Sequence, residues 1–197
     1  MISDLNCADL CREIYNRTTD AFDDVLHVDG VCGGIKYVGN CTIVAFRGSI
    51  TAADWIEDVR IIPKYDAQLG FISRGFLDGV REFVAELSPL IKGHLIVTGH
   101  SLGAAHACLT AALIPSAQLT LFGCPRVSIG GKLRGLIAAS GTWATSYKNL
   151  DDLVVEVPSR WLGYRHAVPI LHIRSHPQPE LAIQAHEIGR YCNALGG

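Results

Sequence analysis

One stretch decides the fold of this chain: Leu95-Ile96-Val97-Thr98-Gly99-His100-Ser101-Leu102-Gly103-Ala104-Ala105-His106-Ala107. It places the pattern G-x-S-x-G between an apolar run and a run of small, helix-favouring residues. That order is typical of a nucleophile elbow, in which a strand ends in a sharp turn that presents a serine before a helix begins. Gly99 and Gly103 leave room where a side chain would collide with the neighbouring strand and helix. We therefore expect the Ser101 hydroxyl to be exposed above a sheet, next to a helix N-terminus that favours a developing oxyanion.

Length and composition describe one globular domain, which we expect to span residues 1–197. Hydrophobic residues make up 49% and charged residues 18% of the chain, so a substantial apolar core can form. The net charge of -2 gives no indication of a nucleic-acid partner. No apolar run is long enough to form a transmembrane segment. The first six residues contain no basic region followed by an apolar core, so the sequence predicts no secretory signal.

The cysteines predict free thiols. Seven are present, an odd number, and no C-x-x-C pair occurs. Several, such as Cys108, lie in apolar surroundings, which is typical of buried thiols in a reducing compartment. We therefore expect a cytoplasmic location. Cys7 and Cys11 are spaced to share a helix face, but no matching histidine pair accompanies them, so we expect no metal site.

The periodicity of apolar residues predicts an α/β fold. From Thr42 onward strands alternate with helices, which is typical of a mostly parallel central sheet with helices on both faces. Turn signals at Asp29-Gly30 and Gly39-Asn40 predict antiparallel strands before it. Predicted helices cover 5–15, 76–87, 102–114, 132–140 and 180–195, and predicted strands lie within 25–47 and at 95–98, 119–122, 142–147 and 168–173. Residues 50–73 are predicted to be irregular, with a short helical piece at 54–59.

A serine nucleophile needs a histidine base, an acid that orients the histidine, and donors for the oxyanion. In this fold class the three residues follow in the order serine, acid, histidine. Asp151 and Asp152 both follow the strand at 142–147, where strand ends converge, and one of them can instead serve a turn. The later histidines are His166, His172, His176 and His186. Position near the chain end favours His186, with His166 second.

Six segments resemble the class 3 lipases, the fungal-type triacylglycerol lipases, in that family's order. They are Val44–Ser49 (strand ending in F-R-G-S/T), Asp54-Trp55-Ile56 (the lid's D/N-W pair), Ile72–Phe76 (V-H-x-G-F), Gly99–Ala104 (G-H-S-L-G-G/A), Phe122–Val127 (F-G-x-P-R-V) and Asn149–Asp152 (N-x-x-D). Together with the late histidine segment, the resemblance covers roughly 41–195. It implies an α/β-hydrolase fold.

The resemblance also implies roles for individual residues. Ser101 is the expected nucleophile, and Asp152, at the D of N-x-x-D, is preferred to Asp151 as the acid. His186 fits the family's late H-x-x-x-x-Y/F segment, whereas His166 falls in a non-catalytic tyrosine-histidine landmark. Ser49 and Leu102 match the positions that form the oxyanion hole. The resemblance implies no metal and no other cofactor.

Two substitutions and one segment bear on this resemblance. Ser73 stands where the family usually has histidine, which we expect to loosen packing beneath the sheet, and Ser128 replaces the usual glycine. Residues 50–71 correspond to the family's lid, so we expect a short lid-like segment there. Trp55, Ile56 and Val59 are the candidate residues on its apolar face, which either turns toward a lipid interface or packs permanently on the core.

The sequence therefore predicts a serine hydrolase that cleaves carboxylic esters of lipids through an acyl-serine intermediate. The expected partner is a lipid or small ester substrate, with transient contact with a lipid interface. Two alternatives stay open at this point. An acyltransferase would pass the acyl group to an alcohol other than water, and a binding module would keep the fold without the chemistry.

Overall fold

The computed structural model describes residues 1–16, 20–49, 62–177 and 183–196, and its strands form two sheets. In chain order, the described strands are β1 (Asp24–Val28), β2 (Val31–Val38), β3 (Cys41–Phe46), β4 (Pro63–Asp66), β5 (Gly70–Ser73), β6 (His94–His100), β7 (Gln118–Phe122), β8 (Ser128–Ile129), β9 (Trp143–Asn149), β10 (Tyr164–Arg165) and β11 (Ile170–Ile173). The described α-helices are α1 (Asp4–Glu13), α2 (Arg74–Leu77), α3 (Val80–Leu87), α4 (Leu102–Leu113), α5 (Lys132–Ala139) and α6 (Ile188–Gly196). Short 3₁₀ helices cover Ser88–Leu90, Val154–Glu156, Arg160–Leu162 and Gln184–His186.

The larger sheet has seven strands in the order β1-β2-β3-β6-β7-β9-β11. β1, β2 and β3 pair antiparallel, and every pairing from β3 to β11 is parallel. Asp29 and Gly30 both have positive φ, 47° and 86°, as a two-residue hairpin loop requires. The predicted mostly parallel sheet with antiparallel N-terminal strands is therefore confirmed.

Helices cover both faces of this sheet because successive side chains of a strand point to opposite faces. On one face, Leu95 and Val97 of β6 belong to a large buried cluster that includes residues of α3 and α4. On the other face, Phe122 of β7 packs in a second cluster with Cys11 of α1 and Tyr191 of α6. The second cluster brings α1 and α6 beneath the part of the sheet from which Ser101 projects.

A smaller antiparallel sheet has the order β10-β8-β5-β4 and corrects the prediction that 50–73 is irregular. Within the described part, β4 and β5 form a hairpin, and the Asp66 carboxylate holds its turn by accepting the Gln68 and Leu69 N–H groups at 2.9 Å. Asx turns of this kind are not visible in apolar periodicity, which is why the hairpin was missed. The lid candidates Trp55, Ile56 and Val59 lie outside the described residues and stay a prediction.

Two predicted helices differ from the structure. The helix expected at 76–87 is broken into α2 and α3 because Gly79 adopts a positive φ of 80°, and a Cβ there would lie 2.5 Å from the Asp29 carbonyl oxygen. The terminal helix begins only at Ile188, so His186 lies in the 3₁₀ helix before it rather than in α6.

The expected loosening of the packing at Ser73 stays a prediction. Ser73 is completely buried and shares a hydrogen bond with the hydroxyl of Tyr164, a neighbour that is also buried. Ser128 is likewise buried, and pairs with Ile72 and Arg165 in the smaller sheet. Both serines are therefore buried within the smaller sheet.

The seven cysteines are free thiols, six of them buried and Cys41 half-buried. Across the described ranges, the structure contains no helix with the length and apolar character needed to cross a bilayer.

Candidate active site

The turn between β6 and α4 has the geometry of a nucleophile elbow. Ser101 has φ 60° and ψ −128°, a conformation that non-glycine residues rarely adopt. A Cβ on Gly99 would lie 2.2 Å from the Gly103 carbonyl oxygen, and a Cβ on Gly103 would lie 2.3 Å from that of Phe46. Both glycines are therefore required by close backbone approach, as the sequence predicts. The Ser101 hydroxyl differs from the expectation in one respect: the residue is only 1% exposed.

Asp152 and His186 form a buried acid–histidine pair. The His186 Nδ1 lies 2.8 Å from the Asp152 Oδ2, and the two side chains are 2% and 0% exposed. Gly123, directly after β7, lies against this pair, because a Cβ there would approach the His186 ring to 2.7 Å and Asp152 Oδ2 to 3.0 Å. The Ser101 N–H donates to the neighbouring Phe122 carbonyl at 3.0 Å. The elbow and the pair are thus joined at the end of β7.

Three hydrogen bonds keep the Asp152 carboxylate charged. Burial by itself raises the pKa of this group, but the bonds from His186, from the Tyr191 hydroxyl at 2.5 Å and from the Val154 N–H at 2.9 Å outweigh it. The pKa of Asp152 is therefore held below its ordinary value of 3.8. A carboxylate at Oδ2 fixes the proton of neutral His186 on Nδ1 and leaves Nε2 as the acceptor.

Two polar atoms of this site are buried without a hydrogen-bond partner in the described structure, the Ser101 Oγ and the His186 Nε2. Buried polar atoms are normally satisfied, because an unsatisfied one costs about 1–3 kcal/mol. Among the described residues, both atoms are therefore left without a structural role. In a serine hydrolase, the serine Oγ and the free ring nitrogen of the histidine are the atoms that exchange the proton.

The loop after β3 lies against Ser101. A Cβ on Gly48 would lie 2.7 Å from the His100 carbonyl oxygen and 3.0 Å from the Ser101 Cβ. Ser49, the next residue, is half-buried. Leu102 is the first residue of α4, so its N–H has no acceptor within that helix. Leu102 thus follows Ser101 in sequence, and Ser49 follows the glycine that lies against Ser101.

The other candidate acids and bases lie elsewhere. Asp151 is exposed, as are His172 and His176. His166 is half-buried, and burial together with the positive charge of Arg126 lowers its pKa to about 4. None of these four residues takes part in the hydrogen bonds that join Asp152 to His186.

Sequence reasoning missed four residues that hold this site. The Asn149 side chain donates to the Ala185 carbonyl at 3.0 Å and accepts from the Ser175 N–H at 2.9 Å, which anchors the segment carrying His186. His100 stacks on His186, and Tyr15 and Tyr191 each bond a member of the site. Asn149, His100 and Tyr191 stand in the family's motifs, so a role for each of them could have been predicted from the sequence. Tyr15 follows α1, far from any motif. Within the described ranges, no three His, Cys, Asp or Glu side chains are grouped so as to hold a metal ion.

Solved structures share this fold. A lipase from Rhizopus microsporus var. chinensis matches with a TM-score of 0.70 at 21% identity, covering 89% of this chain and 75% of that one. A mutant form of MDLA from Penicillium cyclopium matches with a TM-score of 0.69 at 23% identity, covering 93% and 82%. The predicted α/β-hydrolase fold is therefore confirmed.

Curated relatives match part of the chain. The secreted mono- and diacylglycerol lipase A of Penicillium cyclopium is 29% identical over 156 residues, which are 72% of this chain and 50% of the relative. The chloroplastic phospholipase A(1) DAD1 of Arabidopsis thaliana is 31% identical over 153 residues, covering 59% and 33%. The chain thus spans half or less of the length of these relatives.

The predicted cytoplasmic location is wrong by this comparison. The Penicillium relatives and one from Fusarium solani are named secreted lipases, and this finding contradicts the prediction. The prediction depended on free cysteines and on the absence of a visible signal. Buried thiols are compatible with any compartment, so the free cysteines do not indicate a cytoplasmic location.

One family accounts for both the site and these likenesses. The model of the family Lipase (class 3) matches residues 43–160, a range that contains the loop after β3, the elbow and Asp152. This range is more than half of the 197 residues. The chain belongs to the class 3 lipase family.

Proposed function

We propose that this chain is a serine hydrolase that cleaves carboxylic esters of lipids through an acyl intermediate on Ser101. The observation that carries the proposal is the pair of buried, unpartnered atoms, Ser101 Oγ and His186 Nε2, in a site where Asp152 fixes the other nitrogen of the histidine. His106 Nδ1, Thr110 Oγ1 and Ser146 Oγ are also buried without a partner, but only His186 has its other ring nitrogen bonded to a buried carboxylate.

The proposed reaction begins with attack of Ser101 Oγ on the ester carbonyl carbon, while His186 Nε2 takes the hydroxyl proton. The His186 cation then gives this proton to the leaving alcohol as the C–O bond breaks, and the acyl group stays on Ser101. A water attacks the acyl-serine by the same route, releasing the acid and restoring Ser101. Asp152, charged and buried, stabilises the His186 cation in both halves of the reaction.

The oxyanion of each tetrahedral intermediate is assigned to Ser49 and Leu102. Leu102 offers an N–H at the start of α4, where the helix dipole is positive. Ser49 offers its N–H and hydroxyl from the loop that Gly48 brings against Ser101. Preorganised donors of this kind contribute about 10²–10³-fold each in related sites.

A lipid ester is the proposed substrate because the matched relatives are named mono- and diacylglycerol lipases and a phospholipase A(1). We also propose that residues 1–197 form one hydrolase domain, since both apolar clusters lie on the two faces of one sheet. Transient contact with a lipid interface is assigned to the segment with Trp55, Ile56 and Val59, which lies outside the described residues.

A series of p-nitrophenyl esters from short to long acyl chains tests the proposal, with wild type beside Ser101→Ala. We expect turnover that the variant loses, and an optimum at long chains for a lipid substrate. A competing alcohol acceptor separates hydrolysis from acyl transfer by the product formed. A folded wild type that cleaves no chain length would contradict the proposal and favour a specialised acyltransferase or a binding module.

A further inference from the structure

Three hydrogen bonds in series connect the end of α1 to both sides of the site. The Gly48 N–H donates to the Tyr15 hydroxyl oxygen at 3.1 Å. The Tyr15 hydroxyl lies 2.9 Å from His100 Nδ1, and His100 Nε2 lies 2.6 Å from the main-chain oxygen of His186. One end of this series is the loop that precedes Ser49, and the other end is the main chain of the proposed general base.

The partners fix the direction of every bond. A carbonyl oxygen only accepts, so His100 Nε2 must carry the proton that it shares with His186. Neutral His100 then has an unprotonated Nδ1, which must accept from the Tyr15 hydroxyl. The Tyr15 oxygen keeps a lone pair for the Gly48 N–H. Each group therefore has one role, and no member can reverse without breaking a neighbouring bond.

The charge state of His100 agrees with this direction. Complete burial lowers the pKa of His100 to about 3, and the nearby His186 ring contributes to the same shift. Burial likewise raises the pKa of the Tyr15 hydroxyl, which keeps its proton. Both side chains are therefore neutral throughout the pH range in which an esterase is assayed.

Contacts beyond these bonds tie the series to the reacting groups. The His100 ring stacks on the His186 imidazole with centroids 4.5 Å apart and planes inclined by 30°. On the other side, a Cβ on Gly48 would meet the Tyr15 hydroxyl at 2.5 Å and the Ser101 Cβ at 3.0 Å. Tyr15 and His100 thus contact the supports of the base and of the oxyanion loop, and neither is one of the proposed reacting residues.

We propose that Tyr15 and His100 are positioning residues that set the His186 imidazole and the oxyanion loop at 47–49 relative to Ser101. The inference rests on the proposed ester hydrolysis and deepens it. It makes the turn after α1 part of the active site, although Tyr15 precedes the range matched by the family by 28 residues, from 15 to 43. Positioning of this kind acts on the transition state, because a small displacement of a base or an oxyanion donor lowers the rate more than it lowers binding.

Tyr15→Phe tests the inference against Tyr37→Phe as the matched control. Tyr37 loses the same atom and one hydrogen bond, to the Leu90 carbonyl at 3.0 Å, away from the site. We expect kcat on p-nitrophenyl esters to fall about tenfold in Tyr15→Phe with KM within about twofold, and to be unchanged in Tyr37→Phe. Equal kcat values in the two variants, or a change confined to KM, would overturn the inference.

A double-mutant cycle with His100→Asn tests whether the two residues act as one series. If they do, adding Tyr15→Phe to His100→Asn costs little further activity, because the connection to His186 is already broken. If the fold-losses of activity in the two single variants multiply in the double variant, the residues act independently and the series is overturned. Should His100→Asn fold poorly, nitrogen NMR of histidine-labelled wild type replaces it. The expected signature is protonated Nε2 and bare Nδ1 at His100, and the opposite tautomer would refute the series.

Labelling by an organophosphonate ester distinguishes failure of this inference from failure of the proposed function. Wild type that neither hydrolyses esters nor reacts with the phosphonate overturns both. Wild type that reacts, beside a Tyr15→Phe variant that reacts equally fast, overturns the inference alone. We expect the labelling rate of Tyr15→Phe to fall in parallel with its kcat, since phosphonate attack uses the same base and oxyanion donors.

Discussion

Tyr191→Phe should lower both the stability and the activity of this protein, because its hydroxyl donates to the buried charge of Asp152 at 2.5 Å. A hydrogen bond to a charged group contributes about 1.5–3 kcal/mol, and the Asn149 N–H, at 3.2 Å, would lose its acceptor as well. We expect the free energy of unfolding to fall by about 2–3 kcal/mol. For a domain of this size, Tm then falls by about 5–10 °C.

The activity effect follows from the same oxygen, since Tyr191 and His186 share Oδ2 of Asp152. Without Tyr191 the carboxylate loses one of its three hydrogen bonds and its pKa rises, so we expect kcat on a p-nitrophenyl ester to fall about tenfold. Tyr147→Phe is the matched control, because its hydroxyl donates to Asp4 at the same 2.5 Å on a partly exposed site. That variant should lose about 1 kcal/mol and keep its kcat.

Urea denaturation and ester kinetics on the two variants decide the matter. Equal losses of stability in Tyr191→Phe and Tyr147→Phe, together with an unchanged kcat in both, would refute the reasoning. The difference in unfolding free energy between wild type and Tyr191→Phe should also depend on pH. The folded pKa of Asp152 is held below its ordinary value, so the hydrogen bonds that lower it stabilise the fold above about pH 4 and do so less as pH falls through the folded pKa.

Three further results are expected. Burial lowers the pKa of His106 to about 4, so the stability that the neutral ring provides is complete above pH 6.5 and is lost between pH 6.5 and 4. His106→Leu should therefore reduce the loss of unfolding free energy from pH 7 to pH 5 by about 2 kcal/mol. Equal losses for wild type and variant in urea titrations would contradict this. Gly123→Ala should lower kcat at least about 100-fold through contact with His186, whereas Gly130→Ala, with a similar positive φ and open space around it, should keep full activity; equal kcat values would argue against a tight site. Asp152→Asn should lower kcat about 10⁴-fold in steady-state assays and the exposed Asp151→Asn should not, so the reverse result would exchange their roles.

The elbow and the central sheet were predictable because short sequence patterns mark them. A Cβ on Gly99 or Gly103 would lie 2.2–2.3 Å from a neighbouring carbonyl oxygen, and the hairpin at Asp29-Gly30 needs two positive φ angles. These are constraints on single residues, which a sequence displays directly. The break at Gly79 was missed because this glycine stands in no recognised motif, whereas the G-x-S-x-G pattern marks Gly103 although the contact that requires it comes from the distant Phe46.

The supports of the site depended on tertiary contacts that periodicity does not carry. The motif context favoured Asp152 over Asp151, and the structure gives the physical difference. The Asp152 carboxylate is buried and accepts from three donors, whereas Asp151 is exposed. Tyr15 had no signal, since a tyrosine after an amphipathic helix is ordinarily read as a core residue. Its hydroxyl acquires a role only when α1 is placed against β6 and the loop at 47–49.

The measurement that tests the central claim most directly is reaction of the folded protein with an organophosphonate ester, followed by intact-mass and peptide mapping. We predict one adduct per chain, located on Ser101, absent in Ser101→Ala and formed much more slowly in His186→Ala. Such a result requires a nucleophilic serine activated by that histidine. A folded wild type that forms no adduct, or an adduct on another residue that survives Ser101→Ala, would contradict the account.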